Sequence, residues 1–376
     1  MLHQQLQFKG LTLIFSFFLL RIQFVAIIFA FSLLFLASCS GFNQEQATLP
    51  EKQIMPNSDK NQTPCLNNTL PTETQKTNYG NGLLSPRIYS GVLEPKSFLI
   101  TNFEPLKIGL NSFLKENNIS ASIYVENLRN GVNMGIHEHR SYFPASLNKL
   151  PIAIIIMRQV EDGKISLNTS FSILDNEKSS TSGTLYSTNF TMLPVDILME
   201  KMIKESDNTA FNVLKDNVDK KELANLLDYY NIKINVDYPD RRIEYLNRTD
   251  SVTAISLYNL FSSLYLSTVL EPQDSEYILS LLTQADFDIK RIANLPDNVT
   301  VAQKYGEFYL DDTELFHDCG ILYAGESKVF YCIMTKGLES EDAKEAIGYM
   351  VNYIYNYVVN ARAKLDVYKK QSRKKI

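Results

Sequence analysis

Ser146-Leu147-Asn148-Lys149-Leu150-Pro151-Ile152-Ala153-Ile154-Ile155-Ile156-Met157 sets a hydroxyl and an amine three residues apart at the head of an apolar run. The run is hydrophobic at every position from 150 to 157, as a helix buried on all sides would be. Pro151 fits near the start of such a helix, where a missing N–H costs little. One helical turn returns Lys149 to the face of Ser146, close enough to take its proton. A helix start also aims free N–H groups at its first turn, where an attacked carbonyl develops negative charge. The spacing alone decides little, because Ser-x-x-Lys recurs at Ser112/Lys115 and Ser372/Lys375.

Two further motifs change that balance. Ser206-Asp207-Asn208 follows an amphipathic stretch (Leu198, Met199, Met202, Ile203) and precedes a shorter one (Phe211, Leu214). It reads as a polar break between two helices, placed to face a cleft. Lys304-Tyr305-Gly306 ends a strand-like run over residues 299–302.

Ser-x-x-Lys, Ser-Asp-Asn and Lys-x-Gly, in that order, resemble the signature set of the class A β-lactamases and penicillin-binding proteins. Phe143-Pro144-Ala145-Ser146 with Lys149-Leu150-Pro151-Ile152 resembles the nucleophile segment of that family. His317-Asp318-Cys319-Gly320-Ile321-Leu322 resembles the strand that follows its Lys-x-Gly strand. The resemblance implies a serine hydrolase with Ser146 as nucleophile, Lys149 as base, Ser206 as proton donor to the leaving nitrogen and Lys304 as carboxylate attractor. It further implies substrate contacts at Asn208 and Gly306 and an oxyanion hole from the backbone N–H groups of Ser146 and Glu307. Asp207 is expected to tie down its own loop.

Two departures bear on substrate. Tyr305 stands where the family carries a small hydroxyl that contacts the substrate carboxylate. Residues 242–247 resemble the loop whose Glu activates the deacylating water, with a Glu-to-Asn spacing one residue shorter. Glu244 is either that base or an ordinary loop carboxylate. A β-lactamase is the expected activity. The alternatives are a peptidoglycan DD-peptidase, which would acylate and then stall, and an inactive wall-binding module. The expected partners are a β-lactam or a peptidoglycan stem peptide, acting on a monomer.

The pattern outside the motifs gives a segregated α/β architecture. Leu106, Leu110, Phe113 and Leu114 recur at helical spacing. Residues 121–128 and 132–137 read as strands about an Arg129-Asn130-Gly131 turn. Residues 146–285 read as largely helical, followed by strands at 299–304, 317–323 and 328–336 and a last helix marked by Ile347, Met350, Val351, Ile354 and Val358. An antiparallel sheet is thus built from both chain ends, flanked by helices, with a helical subdomain inserted between. The family resemblance implies five strands.

Residues 1–38 read as a signal peptide: residues 24–37 are nearly unbroken hydrophobic and lead into Leu36-Ala37-Ser38-Cys39. That ending resembles a bacterial lipobox, with lipid on Cys39 and membrane attachment at the periplasmic or cell-surface side. The other reading is an uncleaved anchor. Residues 39–101, with Pro50, Pro56, Pro64, Pro71 and Pro86, are a disordered tether, residues 102–362 the catalytic domain and residues 363–376 a basic tail. The net charge of −5 carries no nucleic-acid pattern. Cys319 and Cys332 lie on two strand-like runs around Ala324-Gly325-Glu326-Ser327 and are either a cross-strand disulfide or two small buried residues. His137 and His139 lack an evident third ligand, so neither metal nor cofactor is expected.

Overall fold

The computed structural model describes Leu83 and residues 102–234, 250–310 and 313–373. The leader with Cys39, the tether apart from Leu83, and the 242–247 loop with Glu244 lie outside the described residues.

Helix α1 (Glu104–Glu116) begins with Pro105 in its first turn and buries Leu106, Leu110 and Leu114, the stripe its periodicity demands. Strands β1 (Ser120–Asn127) and β2 (Asn133–Ile136) form an antiparallel hairpin, Ile123 opposite Ile136. A single 3₁₀ turn (Ala145–Asn148) then leads into helix α2 (Lys149–Glu161). The inserted region carries α3 (Val195–Lys204), α4 (Asn208–Asn217), α5 (Lys220–Tyr229), α6 (Ala254–Tyr265), α7 (Pro272–Leu282) and the short α8 (Ile289–Ile292). It is not wholly helical: β3 (Ser170–Ser172) and β4 (Met192–Pro194) pair as a small ribbon ahead of α3. Strands β5 (Thr300–Leu310), β6 (Thr313–Ala324) and β7 (Ser327–Lys336) follow, and α9 (Ser340–Arg373) closes the described chain. This last helix continues past residue 362, the boundary drawn from the sequence.

The five-stranded sheet has the order β2-β1-β7-β6-β5, antiparallel throughout. Early and late strands meet where β1 pairs with β7, as Ile123 opposite Ile333. Alternation along each strand divides the sheet between two cores. Tyr124, Ala302, Cys319, Ile321, Phe330 and Met334 face the inserted helices. Val125, Val301, Phe316, Leu322, Tyr331 and Ile333 face α1 and α9. Helix α2 runs through the first core, with every residue from Lys149 to Met157 buried. Burying each of its isoleucines stabilises the fold by about 1.5–3 kcal/mol. Cys319 and Cys332 stand opposite each other in the β6–β7 register and are joined by a disulfide. Among the described residues no helix is long and apolar enough to cross a membrane.

Candidate active site

Three segments converge on one amine. Lys149 is buried at the head of α2, and its Nζ stands 2.9 Å from Ser146 Oγ. The same Nζ lies 3.0 Å from Ser206 Oγ, 2.6 Å from the Ser206 carbonyl oxygen and 2.7 Å from Asn208 Oδ1. The carbonyl oxygen and Oδ1 can only accept. A neutral amine that spends its two N–H bonds on them keeps its lone pair for a serine hydroxyl, which is the arrangement a base requires. The surroundings favour that neutral form. Burial lowers the Lys149 pKa well below the usual lysine range, the Lys304 charge lowers it further, and Asp207 opposes both.

The serine-bearing turns are held in unusual backbone. Ala145, just before Ser146, has φ +47°, and Ser206 has φ +56°. Left-handed backbone at a residue with a side chain costs on the order of 1–3 kcal/mol and persists only where the surroundings impose it. At Ser206 the imposing group is Asp207. Its Oδ1 accepts from the Ala210 N–H (2.9 Å), capping α4, and its Oδ2 accepts from the Leu185 N–H (2.8 Å). Gly183 makes room for it: a Cβ there would fall 2.1 Å from Asp207 Oδ2. The loop before β4 also clasps Asn208, whose Nδ2 donates to Thr181 Oγ1 (2.6 Å) and whose N–H donates to the Ser182 carbonyl (3.0 Å).

Strand β5 forms the opposite wall. Lys304 and Gly306 share the face turned to the inserted helices, since Ala302 and Phe308 on the same alternation pack there. A Cβ at Gly306 would meet Ser146 N at 3.0 Å and the Pro144 carbonyl oxygen at 3.1 Å, so this edge of the sheet lies directly on the turn that carries Ser146. Lys304 is fully buried and its Nζ has no hydrogen-bond partner among the described residues. Burial pushes its pKa down to about 7 against the opposing charges of Asp318 and Asp286. Tyr305 is turned the other way: its ring stacks on Phe316 and packs against Phe287, in the core beneath α9, with Lys304 Nζ 4.5 Å from its centroid. The Glu307 side chain also points away, accepting a hydrogen bond from Ser340 Oγ, with Lys344 Nζ at 3.9 Å.

The structure thus gathers Ser146, Lys149, Ser206, Asn208 and Gly306 into one place, brings Lys304 near enough for its charge to act on Lys149, and sends the Tyr305 and Glu307 side chains elsewhere. Glu244 lies outside the described residues. Sequence reasoning assigned no role to Thr181 or Ala145. Thr181 sits in a polar loop without a distinguishing signal, and the left-handed φ of Ala145 leaves no mark in residue type. His317 was visible only as part of a motif. Its imidazole is fully buried, and apolar surroundings push its pKa down to about 4.

A five-stranded antiparallel sheet flanked by helices, with two serines and two buried lysines beside it, is the frame of a serine-hydrolase-like enzyme. The chain belongs to the β-lactamase enzyme family, which it matches over residues 105–358. No curated relative matches it by sequence. Solved structures of similar fold include PBP-A, with a TM-score of 0.62 at 19% identity over 72% of this chain and 100% of that one. A PBP-A point variant, solved as an acyl-enzyme complex with penicillin G, is similar with a TM-score of 0.61 at 18% identity over 69% and 98%. A β-lactamase from Chitinophaga pinensis is similar with a TM-score of 0.61 at 16% identity over 68% and 100%.

Proposed function

We propose that the protein hydrolyses β-lactam rings through an acyl-enzyme on Ser146. The observation that carries this reading is the single buried amine of Lys149 within 3.0 Å of both Ser146 Oγ and Ser206 Oγ. Ser146 Oγ attacks the lactam carbonyl carbon as its proton passes to neutral Lys149. The backbone N–H groups of Ser146 and Glu307 receive the oxyanion. The ring C–N bond then breaks, and Ser206 protonates the leaving nitrogen, drawing its replacement proton from Lys149. Asn208 offers its amide to the substrate side chain while holding Lys149. Gly306 lets the substrate lie along β5. Lys304 draws the substrate carboxylate by its field and keeps Lys149 short of protons. The Tyr305 ring lies against Phe287 and Phe316 and leaves the carboxylate to Lys304. Glu244 activates the water that releases the acyl group and restores Ser146.

A second reading is a penicillin-binding amidohydrolase directed at peptidoglycan stem peptides. The similarity to PBP-A, one form of which is an acyl-enzyme complex with penicillin G, favours it. An intact-mass time course with penicillin separates the two. A transient adduct with turnover of a chromogenic cephalosporin, both lost in Ser146→Ala, is expected of the β-lactamase. A long-lived adduct with release of D-alanine from wall peptides would replace that reading with the second, and no adduct in a folded protein would remove both.

The same proposal places the enzyme outside the cytoplasm, tethered by lipid on Cys39. The Cys319–Cys332 disulfide supports an oxidising compartment, and residues 24–39 have the order of an apolar stretch, small residues and cysteine. Incorporation of labelled fatty acid that survives in Cys39→Ala would refute the attachment.

A further inference from the structure

The backbone that carries the nucleophile is pinned at successive residues. Tyr142 pairs with Val252 in both directions, N–H to carbonyl at 2.9 Å each way. Pro144, Ala145 and Ser146 lie against Gly306. Between these anchors, the Phe143 carbonyl oxygen is held by a side chain from 174 residues away, His317 Nε2 at 3.0 Å. A carbonyl oxygen can only accept, so Nε2 carries the proton. His317 reaches it because of the register. It stands opposite Gly306 in the β5–β6 pair, on the face turned to the nucleophile, and Gly306 has no side chain to intervene. The Tyr142 ring meets the imidazole edge-on, centroids 5.4 Å apart, and the imidazole is sealed from solvent.

We propose that His317 is a positioning residue for acylation: its Nε2–H, donated to the Phe143 carbonyl, fixes the Phe143–Ser146 backbone that presents the Ser146 hydroxyl and N–H at the edge of β5. The proposal rests on Ser146 being the acylated residue. Ala145 supplies the reason a clamp is needed. Its left-handed backbone is disfavoured locally, so a freed Phe143 carbonyl lets the turn relax and moves Ser146 N–H out of line with β5. Buried in apolar surroundings, the imidazole stays neutral across the physiological range, so the donor is permanent.

His317→Met and His317→Gln in the full chain test this. Methionine fills the space without a donor; glutamine places an amide N–H near the position of Nε2. The readouts are the limiting rate constant for Ser146 acylation by a fluorescent penicillin and its half-saturating concentration. His317→Met is expected to lower the rate constant about tenfold to a hundredfold, the scale of a small misplacement of a reacting group, with half-saturation unchanged. His317→Gln is expected to recover most of the loss. A folded His317→Met acylating at the wild-type rate would overturn the proposal, and so would a folded His317→Gln as slow as the methionine variant. Nitrogen-15 spectra of the wild-type imidazole decide the donor without any turnover, and an Nδ1–H tautomer would overturn the proposal on its own. Failure of the wild type to label at Ser146 overturns the hydrolase reading instead. A crystal structure of His317→Met then still tests the clamp, and an unmoved Phe143–Ser146 backbone refutes it.

Discussion

Gly306 and Ser146 touch: a Cβ placed on Gly306 would stand 3.0 Å from the Ser146 backbone nitrogen and 3.1 Å from Ala145 Cβ. The sheet edge and the Ser146 turn are therefore one surface, and on the proposed acylation the spacing between them sets where an oxyanion can sit. Gly306→Ala presses a methyl group onto backbone atoms that cannot swing aside. Its φ is not in the left-handed region, so the backbone itself accepts alanine. The acylation rate constant should fall about tenfold to a hundredfold, and stability should fall by about 1–3 kcal/mol from the overpacked contact. A stopped-flow trace with a chromogenic cephalosporin that matches wild type would show that the contact does not govern the reaction.

The charge on Lys304 holds the Lys149 pKa down, after burial, which is the larger cause. The limiting acylation rate should rise with pH through an apparent pKa well below the ordinary lysine value of about 10.4. Removing the neighbouring cation makes protonated Lys149 less costly, so its pKa goes up. Lys304→Met should then move the acid limb of the profile to higher pH. A limb that stays in place, or moves to lower pH, would separate the two lysines electrostatically.

Asp318 gives a stability signature of its own. Burial pushes its carboxyl up to about 7, against the Tyr331 hydroxyl 2.6 Å away and the Lys304 charge. An unfolded aspartate titrates near 3.9, so between about pH 4 and 7 the native state holds the proton more tightly. The resulting stability is complete below about pH 4 and is lost as pH rises through about 7. Asp318→Asn keeps an acceptor for Tyr331 and should flatten that fall. Urea midpoints at acid and neutral pH would report it, with the variant gaining on wild type as pH rises. A variant that loses ground instead would contradict the assignment.

Asp207 caps α4 and holds Leu185 while being fully buried. Asp207→Ala removes a cap worth about 1 kcal/mol and leaves a buried N–H unpaired at a cost of about 1–3 kcal/mol. A loss of roughly 2–4 kcal/mol is expected in denaturant unfolding, with weaker acylation because Asn208 and Ser206 adjoin the freed loop. Stability within about 0.5 kcal/mol of wild type would assign the loop's order to other contacts.

Much of the site was legible in the chain because its key pair is local. Ser146 and Lys149 are three residues apart on one helical turn, and the 2.9 Å contact follows from that geometry wherever the turn forms. The apolar run after them predicted a helix buried on every side, and α2 is one. Alternation in β5 already separated Lys304 and Gly306 from Tyr305, although the ring's removal to the face beneath α9 was not drawn from it. The 3₁₀ geometry of the Ser146 turn and the β3–β4 ribbon were missed, since short irregular elements have little periodicity to read.

By itself the sequence determined the Ser146–Lys149 spacing, the helix buried after it, and the strands at both ends of the chain that go into one sheet. The spacing, the helix and the individual strands are consequences of interactions spanning a few residues. Only the tertiary structure decided the strand order β2-β1-β7-β6-β5, the left-handed Ala145, the packing of Gly306 on Ser146 and the reach of His317 to Phe143. Each depends on groups far apart along the chain, brought together when two cores close on opposite faces of the sheet, and no local propensity encodes a distance of that kind.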